Sequence, residues 1–447
     1  MRLGSDASPL VRRVWLAASL LSASIFVASF AKTGFGVFGD GVGYYAPLRS
    51  LVFDHDLVIS DEVARFAPAR WPHPIPTHSK FPIGLTLLLA PFFVAGHVLA
   101  AVLSAAGVAV ATDGYSWPYE LAYCAGSFAL GWLGLVAAWR AARLVAGERA
   151  ALLAVLGVWF ASPLFFYLLI ETSMAHAVSQ ALVSLTLYVA LTRDWRREPR
   201  AALAVGAALG LAALVRPQDG LFAVTLAWWA VFPPRSVSAV ESPPAGPPRG
   251  LVVAGVAAVA VAATQALVWM LSFGSLAAVP YFHEAAAAGR GATFEWLRPR
   301  VGAVLFSPLH GLFAWHPLTL LAVLGWVALA RRDGRLAAGL ALGWLAQVWV
   351  IGAWHDWWQG ASLGGRMFAS SSFAFVLGLA ALWQTLATRA GRALGAGVTA
   401  GAVMWNLSLA LQYRLGMIPA EEPVSLLRIA SGHLEVLHRI AARVVGG

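Results

Sequence analysis

Asp40 is the first residue whose type and setting suggest chemistry. It sits in Gly34-Phe35-Gly36-Val37-Phe38-Gly39-Asp40-Gly41-Val42-Gly43-Tyr44-Tyr45, directly after a long apolar run. The glycines permit a tight backbone there. An aspartate in such a place is also often a helix cap or a solvated loop residue. The same stretch continues through Asp54-His55-Asp56 and Asp61-Glu62 to His73, His78 and Lys80. Asp54-His55-Asp56 offers metal ligands, although three consecutive side chains do not converge easily on one ion.

Three later clusters lie at the ends of apolar runs. The first is Glu171-Thr172-Ser173-Met174-Ala175-His176. The second is Arg216-Pro217-Gln218-Asp219, inside an otherwise apolar stretch. An ionisable group at membrane depth costs ~2.5–3.5 kcal/mol on insertion scales, so it is usually partnered or functional. Arg216 either pairs with Asp219 at its own turn or binds an anion. The third is Trp354-His355-Asp356-Trp357-Trp358-Gln359-Gly360, followed by Arg366. Tryptophans there fit an interfacial belt. They also fit an aromatic platform for a sugar, with Arg366 nearby for a phosphate.

The elements that must position these groups are membrane helices. Of 447 residues, 60% are apolar and 12% charged, and the mean hydropathy is +0.73. A soluble protein averages ~45–50% apolar and ~25% charged. The composition excludes a soluble enzyme and a disordered chain and implies an all-α polytopic membrane protein in one membrane domain, 1–447. Spans are expected near 14–32, 119–139, 150–170, 174–192, 201–216, 220–233, 251–272, 311–330, 336–353, 368–386 and 394–415, about eleven in all. The first run is too long for a signal-peptide core and reads as an uncleaved span. The stretch 81–111 is long enough to cross, but crossing would misplace the next arginine cluster. It is therefore expected to be interfacial or re-entrant, within a large first loop, 33–118, that carries juxtamembrane helices. A Pro-rich linker at 232–250 and an amphipathic tail at 416–447 complete the layout.

The net charge is +10, carried by 29 arginines and the lysines Lys32 and Lys80. The arginines cluster between apolar runs, which fits the positive-inside rule and not nucleic-acid binding. With these clusters in the cytoplasm, all eleven histidines fall on or near the outer side. Positive-inside makes no demand on histidine, so external chemistry is the expectation. The single Cys124 excludes an internal disulfide and a cysteine metal site.

Asp40-x-x-x-Tyr44, followed some forty residues later by Lys80-Phe81-Pro82-Ile83-Gly84, resembles the first-loop layout of the C-type (GT-C) membrane glycosyltransferases of the protein O-mannosyltransferase and lipid A aminoarabinose transferase type. Glu171 to Met174 sits where that family carries Asp-Met, and Leu211 to Arg216 where it carries a Leu-Thr-Lys run. Phe306 to Phe313 and Gly360 to Arg366 resemble a bacterial branch of the superfamily. The resemblance implies inverting transfer of a hexosyl or pentosyl group from a polyprenyl-phosphate donor. The acceptor would be a hydroxyl of a glycan, lipid or protein, on the extracytoplasmic face of the plasma (inner) membrane. It implies Asp40 as catalytic base and Lys80 as a phosphate ligand. Arg216 and Arg366 are the other candidate phosphate ligands, and Tyr44, Tyr45, Glu171, His176, His355, Asp356 and Trp358 are candidate substrate contacts. Many relatives carry a second acid beside the first, where this chain has Gly41; no cofactor is therefore expected, a divalent metal being the one candidate.

Two other classes compete. A glycan polymerase or ligase would use a long late loop, and Phe273 to His310 offers His283, Glu284, Arg290, Arg298 and Arg300. A transporter or flippase would place charges at mid-span in two repeated halves. The sequence shows no clear repeat, and its ionisable residues gather at span ends.

Overall fold

The computed structural model describes residues 7–235, 249–281 and 294–445. Seven helices in these segments are long and apolar enough to cross a membrane, and shorter apolar helices lie among them. The protein is a multi-pass membrane protein. Most of the linker expected at 232–250, and His283, Glu284 and Arg290 of the late loop, lie outside the described residues.

Helix α1 (Pro9–Thr33) begins on a Ser8 cap, whose hydroxyl accepts from the Val11 N–H. It stops at Gly34, a left-handed residue (φ 73°) whose N–H reaches Phe30 O at 2.8 Å. Helices α2 (Asp40–Phe53) and α3 (Ser60–Phe66) follow, then α4 (Gly84–Ala105) and α5 (Trp117–Val145). Helix α4 is long and apolar enough to cross a membrane, yet its flanks are both tied to α2. Before it, Ser79 Oγ donates to Gly43 O at 2.7 Å; after it, the Tyr45 hydroxyl donates to Gly114 O at 2.7 Å. Thr86 binds Tyr44 O at one end and the His97 ring meets Phe53 further along, so α4 runs beside α2.

The bundle continues with α6 (Glu148–Phe160), α7 (Leu164–Leu169), α8 (His176–Thr192) and α9 (Pro199–Val215). A 3-10 turn (Pro217–Phe222) separates α9 from α10 (Ala223–Val231). Pro217 has no N–H to continue the ladder, so the expected spans 201–216 and 220–233 form a hairpin that turns at Arg216, and α10 runs back toward the arginine-rich end, its Thr225 Oγ donating to Gly339 O at 2.9 Å and its Trp228 Nε1 to Arg335 O at 3.0 Å. Next come α11 (Arg249–Ala262), α12 (Thr264–Phe273), α13 (Val301–Phe306), α14 (Leu312–Trp315), α15 (Leu318–Ala330) and α16 (Gly334–Ala353). A second 3-10 turn (Arg366–Ser371) leads into α17 (Ser372–Thr385), then α18 (Arg389–Arg414) and the amphipathic α19 (Leu426–Val445). Leu427 of α19 is 80% exposed, with Leu434 and Leu437 alongside.

The arginine clusters gather at one end of this bundle. There Ser8 N–H meets Glu148, Arg332 donates to Val145 O at 2.6 Å, Gly147 N–H meets Gln384, and Gly250 N–H meets Arg196 O. The ends of α1, α7, α9 and α16, with the starts of α8 and α17, lie at the other end, and every candidate cluster is there. Two apolar cores hold the arrangement. The larger joins α1, α5–α11 and α13–α19, and the smaller packs Tyr45, Phe66, Leu89, Phe93, Tyr119 and Tyr123 under the first loop.

Candidate functional site

Gly39 places Asp40. Its φ of 55° suits a residue without Cβ, and its N–H donates to Arg70 O at 2.8 Å. Arg70 in turn pairs with Glu120 at 2.8 Å. Glu120 accepts the N–H groups of Gly36 and Val37, both at 2.9 Å. This buried carboxylate at the start of α5 fixes the glycine-rich turn to the bundle. Asp40 therefore opens α2 in a fixed place, and its carboxylate accepts from Arg366 Nη1 at 3.0 Å. The side chains are 30% and 15% exposed, shielded enough for their attraction to exceed that of a surface pair.

Gly41 has a steric cause. A Cβ there would sit 2.1 Å from Ser173 Oγ, so no second acid fits beside Asp40. A second carboxylate comes instead from Glu171, two residues before Ser173. Burial pushes Glu171 up to about 7, against the pull of Arg366; Asp40 adds to the rise and Arg414 opposes it. The same Arg366 guanidinium contacts Met174 Sδ at 3.8 Å.

Arg216 enters from the break between α9 and α10. Its guanidinium bonds the His176 ring and Gln218 Oε1 (3.3 Å for the latter). Asp219 is held by Ser179. The local Arg216–Asp219 ion pair considered from sequence does not form. Gln218 also donates to Met367 O at 2.9 Å and to Gln347 at 3.0 Å, binding the Arg216 turn to the Arg366 turn. His176 packs against Tyr167, with ring centroids 4.3 Å apart and the rings tilted by 46°. Tyr44 sits among these charges. Burial raises its phenol, Arg216 and Arg366 oppose the rise, and Asp40 and Asp219 add to it.

Lys80 and the tryptophan loop form a neighbouring layer. The Lys80 ammonium lies over the rings of Phe81 and Tyr281, 5.6 and 5.8 Å from their centroids. Phe81 packs on Tyr44 at 4.3 Å, and Tyr281 packs on Trp354 at 5.5 Å. His355 Nε2 is 3.9 Å from Asp356 Oδ1, and both are partly exposed. Trp358 O accepts from His310 Nδ1 at 2.7 Å, which anchors this loop over the Arg366 turn. Burial presses His310 down to about 4.

One expectation is corrected by packing. Tyr45, expected beside substrate, turns the other way. It is fully buried among Phe66, Phe93 and Tyr123, and its hydroxyl bonds Gly114 O. Asp54-His55-Asp56 does not converge, because Asp56 caps its own turn through Ser50 Oγ (2.7 Å) and Val58 N (3.0 Å). Asp54 gathers instead with Asp61 and Glu62, ligand atoms within 4.8 Å of one another. Arg49 pairs with both Asp54 and Glu62, a cation built into the cluster. Burial, then hydrogen bonds from Asp61 and Asp54, push Glu62 up to about 8.

Glu120 carries no signal in the sequence that marks it, because it matters only through Gly36, Val37 and Arg70, all distant in the chain.

The bundle as a whole is similar to solved membrane proteins. It superposes on ArnT from Cupriavidus metallidurans in the apo state with a TM-score of 0.50 and 17% identity, covering 94% of this chain and 74% of that one. The fold is GT-C-like. A second similar structure is the Archaeoglobus fulgidus oligosaccharyltransferase tethered to an acceptor peptide containing the NVT sequon. Its TM-score is 0.50 and its identity 15%, covering 96% of this chain and 53% of that one. This chain thus spans about half the length of the archaeal protein. No family model and no curated protein matches the sequence. Within this GT-C-like fold, Asp40, Glu171, Arg216 and Arg366 come together at the end of the bundle opposite the arginine clusters.

Proposed function

We propose that the chain is a glycosyltransferase that moves a sugar from a polyprenyl-phosphate donor to an acceptor hydroxyl, with inversion and with Asp40 as general base. The arginine clusters at the other end of the bundle support an extracytoplasmic site in the plasma membrane. The acceptor oxygen bonds the anomeric carbon as the bond from that carbon to the phosphate oxygen breaks. The bonding pair leaves with the phosphate, and the hydroxyl proton passes to Asp40. An inverting displacement places base and leaving group on opposite faces of the sugar. Arg366 and Arg216 stabilise the charge growing on the phosphate, and Lys80 serves the same phosphate from the neighbouring layer. Tyr44, His176 and Glu171 line the sugar's position, with His355, Asp356 and Trp358 above it.

The carrying observation is the Asp40–Arg366 pair, which holds the base in place beside a cation, with Arg216 as a second cation near Tyr44 for the departing phosphate. The test is incubation of the purified protein in nanodiscs with polyprenyl-phosphate sugars of known anomeric configuration, and NMR of the product linkage. An inverted linkage is expected. A retained anomer, or turnover of nucleotide sugars in place of the lipid donors, contradicts the proposal.

A further inference from the structure

The helical spacing of α19 sorts its residues into three stripes. Ile429, Gly432, His433 and Val436 make the first, and Ile429 and Val436 are buried. Leu427, Leu434 and Leu437 make the second and are 60–80% exposed. Arg428, Glu435 and Arg439 make the third, both arginines pairing with the one glutamate at 3.1 and 2.7 Å. The leucines and the ion pairs flank the first stripe on opposite sides.

The first stripe packs on the last turns of α18. Gln412 Nε2 donates to Ile429 O at 3.1 Å, His433 Nδ1 meets Ser408 Oγ at 2.7 Å, and the His433 ring lies 4.4 Å from that of Trp405. A Cβ at Gly432 would collide with Gln412 Oε1. Leu394, Met404 and Leu411 of α18 are exposed, the surface a membrane helix gives to lipid. A helix held there with one apolar and one charged flank fits a bilayer boundary when it lies across the spans. Its leucines then continue the apolar surface of α18, and its charges stay out of hydrocarbon, where they are costly.

The segment between α18 and α19 is tied to the stretch that leads into Arg366. It turns at Gly416 (φ 65°), and Ile418 and Val424 are buried. Glu421 Oε1 accepts the Ala361 N–H at 3.0 Å, and Val424 N–H reaches Pro308 O at 3.3 Å.

We propose that α19 lies in the boundary between bilayer and water at the site end of the bundle, its leucine stripe among acyl chains, and that this seat holds the 416–425 segment against the stretch before Arg366. The partner is the lipid surface itself. The inference stands apart from the transferase reading, since it needs a bilayer and no sugar.

The test uses the full chain in nanodiscs, with Cys124→Ala so that an added thiol is the only one. Bimane is attached at Leu434→Cys in one preparation and at Arg428→Cys in another. Phosphatidylcholine with a nitroxide high on its acyl chain is expected to quench the Leu434 probe several-fold more than the Arg428 probe. Hydrogen exchange is then followed in peptides that contain Ala361. Leu427→Gln, Leu434→Gln and Leu437→Gln together should speed exchange there several-fold, as Glu421→Ala should by removing the acceptor. All four side chains are exposed, so the fold is expected to hold. Equal quenching at the two positions overturns the membrane seat. Exchange that quickens with Glu421→Ala but not with the leucine substitutions overturns the seat's hold on the Arg366 turn, and exchange that quickens with neither overturns the tie itself.

Discussion

Arg366 donates to the carboxylate of Asp40 at 3.0 Å across 326 residues of chain. One partner opens α2 at the end of a glycine-rich turn; the other opens the 3-10 turn before α17. An arginine offers planar, paired donors that an ammonium cannot reproduce. Arg366→Lys is therefore expected to lower kcat by ~10²–10³, the loss typical of one oxyanion donor, while protein yield and thermal stability stay close to wild type. Steady-state kinetics on the purified variant check this.

Tyr44 and Tyr45 are adjacent but face different surroundings. Tyr45→Phe leaves Gly114 O without its buried donor, which should cost about 1–3 kcal/mol of stability with little change in KM. Tyr44→Phe should change KM or kcat with little change in stability. Thermal unfolding and kinetics on the pair separate the two roles.

Glu171 is raised from a carboxyl's usual 4.5 to about 7, chiefly by burial. The folded state then holds this proton more tightly than the unfolded chain does. Stability falls as pH rises through this window, because the unfolded state binds fewer protons there. Glu171→Gln should flatten the melting temperature between about pH 5 and pH 7 and raise it most above pH 7. A wild-type curve that matches the variant's would place the Glu171 proton elsewhere.

Arg366 acts on both Asp40 and Glu171, the two carboxylates that a metal-dependent site would turn toward an ion. Transfer is expected to persist in EDTA, and added magnesium or manganese should change the rate little. Loss of activity on chelation, restored by one divalent ion, would give that ion the role assigned to Arg366.

Much of this was legible in the sequence, for a physical reason. Helices such as α1, α5, α16 and α18 declare themselves because a bilayer demands about twenty apolar residues in a row. The break at Arg216 follows from Pro217. Asp40, Glu171, Arg216 and Arg366 stand out as polar groups at span ends, where charge is costly unless it is used. Their mutual contacts were not legible, since Asp40–Arg366 and Arg216–His176 are set by how helices pack. Gly41 was visible as a departure, but its cause, Ser173, lies on another segment. Tyr45 was misread because two adjacent tyrosines on a helix point about 100° apart, and sequence does not say which one faces the site.

The most direct measurement is the transfer rate of Asp40→Asn with donor affinity determined on the same preparation. Asparagine keeps the size of the side chain and can still face Arg366, but it cannot take the acceptor proton. Donor binding is expected to stay within a few-fold, and kcat to fall by ~10²–10⁴, the range of a lost general base. A variant that binds donor and transfers sugar at the wild-type rate would contradict the role given to Asp40.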